Sequence, residues 1–332
     1  MRTVSVMLET LCAPCGCRCR YCLLSWDGRV TGADYDRSQA YAERFYRWIT
    51  ESRPDLRFDF SFGYAMEHPR LAKALAFLQS IGSVEGDMLL MDGLHMRNEA
   101  EADALADQLA QCGVKRLVFT FYGLEAYHDA FAGRRGDHAL LMRLVHAGLR
   151  HGLEVSARLP LNRENAAQAG DVIGQLEDAG VNSVNVFIPH GEGRGAALEG
   201  IRFTQADFDA LPARVQAMIH TNVFRSEADW LRTGFPAVDR RTLLILLTPE
   251  SIARYEAMDF ADVIAEVEAL DEAYYGALPT VEEMAKLYGD PANGAWYSHR
   301  DLYLRWQKRY IQEHSLTLYD VTDETQSGSR RF

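Results

Sequence analysis

CGCRCRYC, residues 15–22, arranges Cys15, Cys19 and Cys22 in a CxxxCxxC pattern, with Tyr21 directly before the last cysteine. Three thiolates on so short a loop can bind three irons of a [4Fe-4S] cluster and leave the fourth iron open to a small ligand, because iron and sulfide suit soft sulfur ligands. The stretch follows the apolar run TVSVMLE, so we expect it to lie directly after a first strand. It therefore predicts a reactive iron–sulfur site at a strand end.

The same cysteines also allow other interpretations, since Cys12 and Cys17 bring the local total to five thiols in eleven residues. A zinc ribbon needs two CxxC knuckles that are separated by a dozen or more residues. Here the two CxxC pairs, Cys12 with Cys15 and Cys19 with Cys22, are separated by only three residues, which is too short. A compact thiolate–metal cluster or disulfides remain open. From the sequence, Cys12 and Cys17 are either neighbours of the cluster that do not bind it or a second thiol site.

Composition bounds the class of protein. The chain has 332 residues, 48% of them hydrophobic, and 35 basic against 47 acidic residues give a formal charge of −12. A chain of this kind can bury a large core, and its acidity makes nucleic acid an unlikely partner. No apolar run is long enough to span a bilayer, and five of the six cysteines crowd one loop. We expect a protein without a membrane partner, in the reducing cytoplasm.

Hydrophobic periodicity predicts repeated βα units up to about residue 188. The six candidate strands are TVSVMLE, RFDFSF, DMLLM, RLVFTF, EVSARLPL and SVNVFI. Helical patterns lie between them, and several end at a glycine that can close a helix in the left-handed conformation, namely Gly82, Gly113, Gly152 and Gly180. From about Glu199 the pattern changes to long helical segments without regular strands. Six parallel strands fit either an open doubly wound sheet or an incomplete barrel.

The cysteine spacing resembles the signature of the radical S-adenosylmethionine (radical SAM) superfamily, and the likeness extends over roughly residues 3–195. This resemblance implies an α/β fold, a (β/α)6 partial TIM-type barrel in residues 1–198, with a mainly helical C-terminal extension in residues 199–332 that forms a lid and recognises substrate. It also implies a [4Fe-4S] cluster on Cys15, Cys19 and Cys22. S-adenosylmethionine would then bind to the open iron through its amino and carboxylate groups.

Further motifs follow in the order that the resemblance implies. Phe62, Gly63 and Tyr64 stand where the family has a GGE-type turn for the methionine amino group, although the acidic residue is absent here. Thr120 stands where a hydroxyl contacts the ligand, and Tyr122 replaces a common acidic residue beside it. His128 and Asp129 match a His-Asp pair that we expect to tie a loop rather than to touch substrate.

The last two strands supply the remaining cofactor contacts implied by the resemblance. Arg158 is suited to the methionine carboxylate, because a guanidinium binds a carboxylate bidentately, and Ile188 is suited to packing on adenine. We expect Tyr21 to be a further cofactor-binding residue. Plainer roles remain open: Phe62 and Tyr64 as core residues, Gly63 as a turn, Arg158 in an ion pair, and Asn165 as a helix N-cap.

The resemblance implies that one electron from the reduced cluster splits the sulfonium and that the resulting 5′-deoxyadenosyl radical removes hydrogen from substrate. No catalytic side chain is assigned. The electron would come from a donor such as flavodoxin or ferredoxin. No cysteine follows Cys112, which excludes a conventional cysteine-ligated auxiliary cluster after it. We expect a peptide or amino-acid-like substrate, with a small sugar or cofactor precursor as the alternative, and a non-catalytic zinc or iron protein on the same fold as the rival.

Overall fold

The computed structural model describes residues 2–8, 15–22, 34–61, 70–191, 193–238, 240 and 242–319. The chain has an α/β fold in which parallel strands are interleaved with helices. The strands are β1 (Arg2–Leu8), β2 (Leu56–Ser61), β3 (Met88–Leu90), β4 (Arg116–Thr120), β5 (Glu154–Pro160), β6 (Ser183–Phe187), β7 (Phe224–Ser226), β8 (Thr242–Leu247) and β9 (Trp296–Ser298).

Helices connect these strands and make up most of the chain after β6. They are α1 (Tyr35–Ser52), α2 (Leu71–Ser80), α3 (Val84–Asp87), α4 (Glu99–Gln111), α5 (Glu125–Ala132), α6 (Asp137–Arg150), α7 (Ala169–Asp178), α8 (Gln205–Ala210), α9 (Ala213–Met218), α10 (Glu227–Thr233), α11 (Pro249–Glu256), α12 (Phe260–Gly276), α13 (Val281–Tyr288) and α14 (His299–Glu313). Short 3₁₀ segments span Ala166–Gln168 and Gly193–Ile201. No helix within the described ranges is both long and apolar enough to traverse a bilayer.

The strands form two parallel sheets and one small antiparallel pair. The first parallel sheet has the order β2-β1-β8, the second has the order β3-β4-β5-β6, and β7 pairs with β9. All six strands that the sequence predicts are present and are parallel to their neighbours. These parallel strands and the helices between them establish the α/β class, and among the described residues no pairing joins β2 to β3.

The segment after residue 198 differs from its prediction. The sequence predicts helices without regular strands there, whereas the structure contains β7, β8 and β9. Of these, β8 pairs in parallel with β1, from Thr3 opposite Thr242 to Leu8 opposite Leu247. The prediction was wrong because LLILL has no period-2 alternation, and a short continuous apolar run does not distinguish a buried strand from a buried helix.

Each parallel sheet buries one face against helices. On β2 the residues Leu56, Phe58 and Phe60 are buried and alternate with more exposed ones, which is the pattern of a strand with one apolar face. The same alternation runs along β5, where Val155 and Ala157 are buried. One continuous core joins these faces to α1, α4, α6, α7 and α12. On β4 both faces are covered, since Leu117, Val118, Phe119 and Thr120 are all buried.

Local sequence sets the helix ends. The four predicted stops, Gly82, Gly113, Gly152 and Gly180, all have positive φ between 69° and 90°, so these predictions are confirmed. A second, smaller core lies within the C-terminal part, where large aromatic side chains pack together. It includes Trp230, Tyr274, Tyr297, Tyr303 and Trp306.

Candidate functional site

The cysteine loop, residues 15–22, lies at the edge where the parallel strands end. Its backbone is hydrogen-bonded to two other loops: Gly16 N donates to Gly93 O at 2.7 Å, and Arg18 N donates to Ala132 O at 2.7 Å. Gly93 follows β3, and Ala132 ends α5, which follows β4. Because residues at the carboxyl ends of parallel strands share one edge, the loop is fixed where α/β enzymes place their sites.

Two glycines permit this close approach. A Cβ atom at Gly16 would lie 3.1 Å from Gly93 O and would overlap the guanidinium of Arg134. Gly133 has a φ of +65°, and a Cβ there would lie 3.0 Å from Cβ of Arg18. A side chain at Gly133 would press on Arg18 in a strained backbone conformation, and one at Gly16 would displace Arg134 and crowd Gly93, so both glycines suit this close packing.

Three thiols of the loop, those of Cys15, Cys17 and Cys19, interact with one another. Cys15, Cys17, Cys19 and Cys22 carry no disulfide. Hydrogen bonds with the thiols of Cys15 and Cys19 raise the pKa of Cys17 far above its ordinary value, and burial of the Cys17 thiol raises it further. A set of thiols on one short loop matches in chemistry what an iron–sulfur cluster needs.

The thiols are not arranged as a finished metal site. In the described part of the chain no group of three or more His, Cys, Asp or Glu side chains is placed so that it could hold a metal ion. The donor set fits an iron–sulfur cluster in its chemistry but not in its present arrangement. Because metal binding is coupled to ordering of the ligands, a cluster would bind only as the side chains of the loop reorient.

Two tyrosines cover the thiols. The phenol of Tyr122, the residue after β4 and Phe121, donates a hydrogen bond to Sγ of Cys19 at 3.2 Å. Tyr21 packs edge-on against Tyr122, with ring centroids 5.4 Å apart. Burial raises the pKa of both phenols well above the ordinary value. Both hydroxyls therefore stay protonated and able to donate.

A buried charged network lies beneath the loop. Asp137, at the start of α6, receives hydrogen bonds from Nε of Arg134 at 3.0 Å and from the Cys17 thiol at 3.5 Å, and contacts Nε2 of His128 at 3.0 Å. Burial alone would raise the pKa of Asp137, but the hydrogen bond of His128 and the charge of Arg134 outweigh it and hold that pKa below its usual value. His128 Nδ1 accepts from Tyr122 N at 3.2 Å.

His128 and Asp129 therefore have the structural role that the sequence suggested. His128 is fully buried between α6 and the end of β4. Asp129 accepts from the backbone N–H groups of Gly136 and His138, at 2.5 and 2.9 Å, and so fixes the turn into α6. Neither side chain is directed at a substrate by these contacts.

Charged groups of both signs flank the end of β4. Thr120 donates from its N–H and from its hydroxyl to the carboxylate of Asp92, at 2.8 and 2.6 Å. Arg158 on β5 lies opposite Thr120, and Asn185 on β6 lies opposite Arg158, so these three side chains share one face of the sheet. The guanidinium of Arg158 is half-buried and makes no hydrogen bond or ion pair with another residue that the structure describes. It is available to an anionic ligand.

Asp92 is a site residue that sequence reasoning missed. Burial raises its pKa, although the hydrogen bonds from Thr120 partly offset that effect. The charges of Asp92 and Arg158 both act on Tyr21, which connects this face with the cysteine loop. The signal in the sequence was the order MLLMDG, where an acidic residue directly follows a short apolar strand.

The remaining predicted residues lie at the periphery or outside the described ranges. Ile188, 2% exposed, lines a small cavity with Pro189, His190 and Leu161. Phe62, Gly63 and Tyr64 lie outside the described residues, as does Cys12. Other predicted positions, Tyr21, Thr120, Arg158 and the three motif cysteines, lie around the end of β4 and the cysteine loop.

Asn165 does not have the N-cap role that the sequence left open. Its side chain makes no cap hydrogen bond to the helix that follows. The amide instead donates to Tyr122 O and to Pro160 O, both at 2.7 Å, and its oxygen accepts from Asn162 N at 2.8 Å. It therefore joins the end of β5 to the segment that carries Tyr122.

Comparison with known proteins yields structural likeness only. No protein-family model matches the chain, and no curated protein matches its sequence. Among solved structures, SuiB from Streptococcus suis bound to S-adenosylmethionine is 10% identical with a TM-score of 0.45, over 77% of this chain and 53% of that one.

Two further structures are similar to a comparable degree. Native anSMEcpe with bound AdoMet is 12% identical with a TM-score of 0.40, over 56% of this chain and 51% of that one. Coproporphyrinogen III oxidase (HemN) from Escherichia coli, a radical SAM enzyme, is 12% identical with a TM-score of 0.39, over 93% of this chain and 91% of that one. The chain spans about half the length of the first two relatives. With all three TM-scores below 0.5, these likenesses carry no argument about activity or substrate.

Proposed function

We propose that the chain is a radical SAM enzyme. One observation carries the proposal: a loop with the CxxxCxxC spacing and without disulfides is hydrogen-bonded to the carboxyl edge of a parallel sheet, beside an available Arg158. This edge is where α/β folds bind ligands, and the thiols suit iron and sulfide. The lack of disulfides among the described cysteines agrees with a reducing, cytoplasmic location.

The fold proposal follows from strand order. Strands β1 to β6 run parallel to their neighbours in two sheets, and placing β2 next to β3 would give the six-strand partial TIM-type barrel in residues 1–198. In that arrangement β8 extends the barrel beyond β1. Residues 199–332, mainly helical, would then cover the open mouth and recognise substrate.

The cofactor proposal assigns roles to side chains of this chain. Cys15, Cys19 and Cys22 would hold a [4Fe-4S] cluster, and when bound, cluster and S-adenosylmethionine together supply one-electron cleavage of the sulfonium. Arg158 would bind the methionine carboxylate bidentately. The hydroxyl hydrogen of Thr120 is donated to Asp92, so Asp92 is the acceptor that a ligand hydroxyl or ammonium group would meet there.

Packing contacts complete the cofactor site in this proposal. Tyr21 would close one side of it, and Ile188 would pack on the adenine. Phe62, Gly63 and Tyr64 keep their proposed place at the turn after β2. Water must be excluded from such a site, because it competes with substrate for reactive species, and the buried rings of Tyr122 and Phe131 under the loop serve that purpose.

For substrate, we propose a peptide or an amino-acid-like molecule, from which hydrogen is abstracted. The face that bears Arg158 and Asn185 continues along the sheet with Ser156 and Ser183, whose hydroxyl oxygens lie 2.9 Å apart. Such a polar, partly exposed face supplies donors and acceptors for amide groups. A small sugar or cofactor precursor would use the same groups and is the alternative. A flavodoxin or ferredoxin would deliver the electron.

Anaerobic reconstitution tests the proposal. We expect about four irons and four sulfides per chain and 5′-deoxyadenosine after reduction with S-adenosylmethionine present. Alanine at Cys15, Cys19 or Cys22 should abolish both, whereas Cys112→Ala, at the C-terminal end of α4, should change neither. Tightly bound zinc without cleavage would favour the rival, a non-catalytic thiolate–metal protein. Iron content and cleavage that survive all three motif substitutions would refute the proposal.

A further inference from the structure

We propose that Tyr122 sets the reduction potential of the cluster by donating a hydrogen bond to the sulfur of Cys19. The inference rests on the proposed function and deepens it, since it concerns one of the three proposed cluster ligands. The phenol oxygen lies 3.2 Å from Sγ of Cys19. Hydrogen bonds to ligand sulfurs are among the features by which proteins adjust the potential of an iron–sulfur cluster.

The phenol of Tyr122 is held in place from several sides. Its ring lies between Phe131 and Tyr21, with centroid distances of 4.7 and 5.4 Å. The backbone is fixed as well, because its N–H donates to His128 and its carbonyl accepts from Asn165. These contacts keep the phenol beside the loop, and the proposal requires that Cys19 retain this bond when the other side chains of the loop reorient around a cluster.

The sign of the effect follows from charge. Reduction adds one electron to the cluster and makes its sulfur ligands more negative, so a hydrogen bond to sulfur strengthens on reduction. It therefore stabilises the reduced form relative to the oxidised form and raises the potential. Tyr122 is only 4% exposed, and in a poorly solvated site such a bond is stronger than it would be in water.

The chain offers a matched control in Tyr127. Its ring belongs to the same aromatic cluster and stacks on Phe131, with centroids 5.8 Å apart. Its phenol, however, bonds to Asn162 and Glu164 and to no cysteine. Tyr127→Phe thus removes one hydroxyl from the same group of aromatic side chains without removing a contact to a cysteine that would bind the iron–sulfur cluster.

The test is a redox titration of the reconstituted protein, in which the electron paramagnetic resonance signal of the reduced cluster measures how much cluster is reduced. We expect Tyr122→Phe to lower the ratio of reduced to oxidised cluster at least threefold at a fixed applied potential. This corresponds to a decrease of the reduction potential by about 28 mV, since 59 mV changes the ratio tenfold in a one-electron couple. Tyr127→Phe should leave that ratio unchanged. A second variant with 3,5-difluorotyrosine at position 122, a stronger donor of the same shape, should shift the ratio in the opposite direction.

The outcomes separate the two proposals. If the unsubstituted protein assembles no cluster, the proposed function fails. If it assembles a cluster and the Tyr122 variants titrate as the unsubstituted protein does, the function stands and this inference is overturned. Should Tyr122→Phe not take up iron, the fluorinated variant decides alone: an upward shift supports the bond, and no shift contradicts it.

Discussion

The two parallel sheets are built from the sequence in different ways. In the sheet β3-β4-β5-β6 each strand pairs with the next one along the chain, as repeated βα units do. In the sheet β2-β1-β8 the first strand pairs on one side with the second and on the other with residues 242–247. One sheet is therefore made of neighbouring units, and the other is completed only by a segment more than two hundred residues away.

Buried carboxylates show the same contrast. Asp137 is paired with Arg134 and His128, its near neighbours in sequence. Asp271, fully buried on α12, is paired with Arg2 at the start of β1 and with Arg240 just before β8. The first carboxylate organises a local turn, and the second joins distant parts of the chain.

The largest expected effect comes from ending the chain at residue 198. Removal of β8 would expose one edge of β1 and take Leu243, Ile245 and Leu247 out of the shared core. We expect the truncated chain to aggregate or to lack a cooperative unfolding transition, measured by circular dichroism during urea denaturation. A fragment that unfolds cooperatively would show instead that residues 1–198 are an independent domain.

Removing a buried carboxylate comes next. Asp137→Ala and Asp271→Ala each leave cations without their partner, so we expect each to lower the free energy of unfolding by about 3–5 kcal/mol. Only Asp137→Ala should also reduce iron uptake, because only Asp137 supports the cysteine loop. Urea denaturation and iron analysis of both variants test this; equal iron uptake would contradict it.

The Asp137 variant also has a pH signature. Because the folded-state pKa of Asp137 is lowered, its ionised form contributes stability that is complete above the unfolded value of about 3.9 and is lost as the pH falls through the folded value. The stability difference between the unsubstituted protein and Asp137→Asn should therefore shrink in acid. A difference that is constant between neutral and acid pH would contradict this assignment.

Much of the sheet β3-β4-β5-β6 could be predicted from sequence, and less of the sheet β2-β1-β8. Period-2 and period-3.6 patterns act over a few residues, so β3 to β6 and their glycine stops were identified correctly. The place of Leu243–Leu247 depends on pairing with a remote strand, which no local pattern encodes. For the site, spacing identified the cysteines, whereas the contact of Asp92 with Thr120 and the bond from Tyr122 to Cys19 depend on the folded arrangement around β3 and β4.

A matched pair of core substitutions sharpens the comparison of the sheets. Ile245 on β8 and Leu159 on β5 are both buried in the same core, at 0% and 1% exposure. If β8 is as integral as β5, each change to alanine should lower the free energy of unfolding by about 2–5 kcal/mol. Fluorescence and circular dichroism should report one coincident transition. A much smaller loss for Ile245→Ala would mean that β8 is peripheral.

The smallest effect concerns how the cysteine loop is attached to the local sheet. Gly133 and Gly152 have similar positive φ values, 65° and 74°, so alanine at either should cost about 1–2 kcal/mol of backbone strain. A Cβ at Gly152 meets no atom within 4 Å, whereas one at Gly133 presses on Arg18 in the cysteine loop. Gly133→Ala should therefore lower the melting temperature slightly more and, unlike Gly152→Ala, slow cluster assembly. Equal assembly rates for the two variants would show that the contact between Arg18 and Gly133 does not position the thiols.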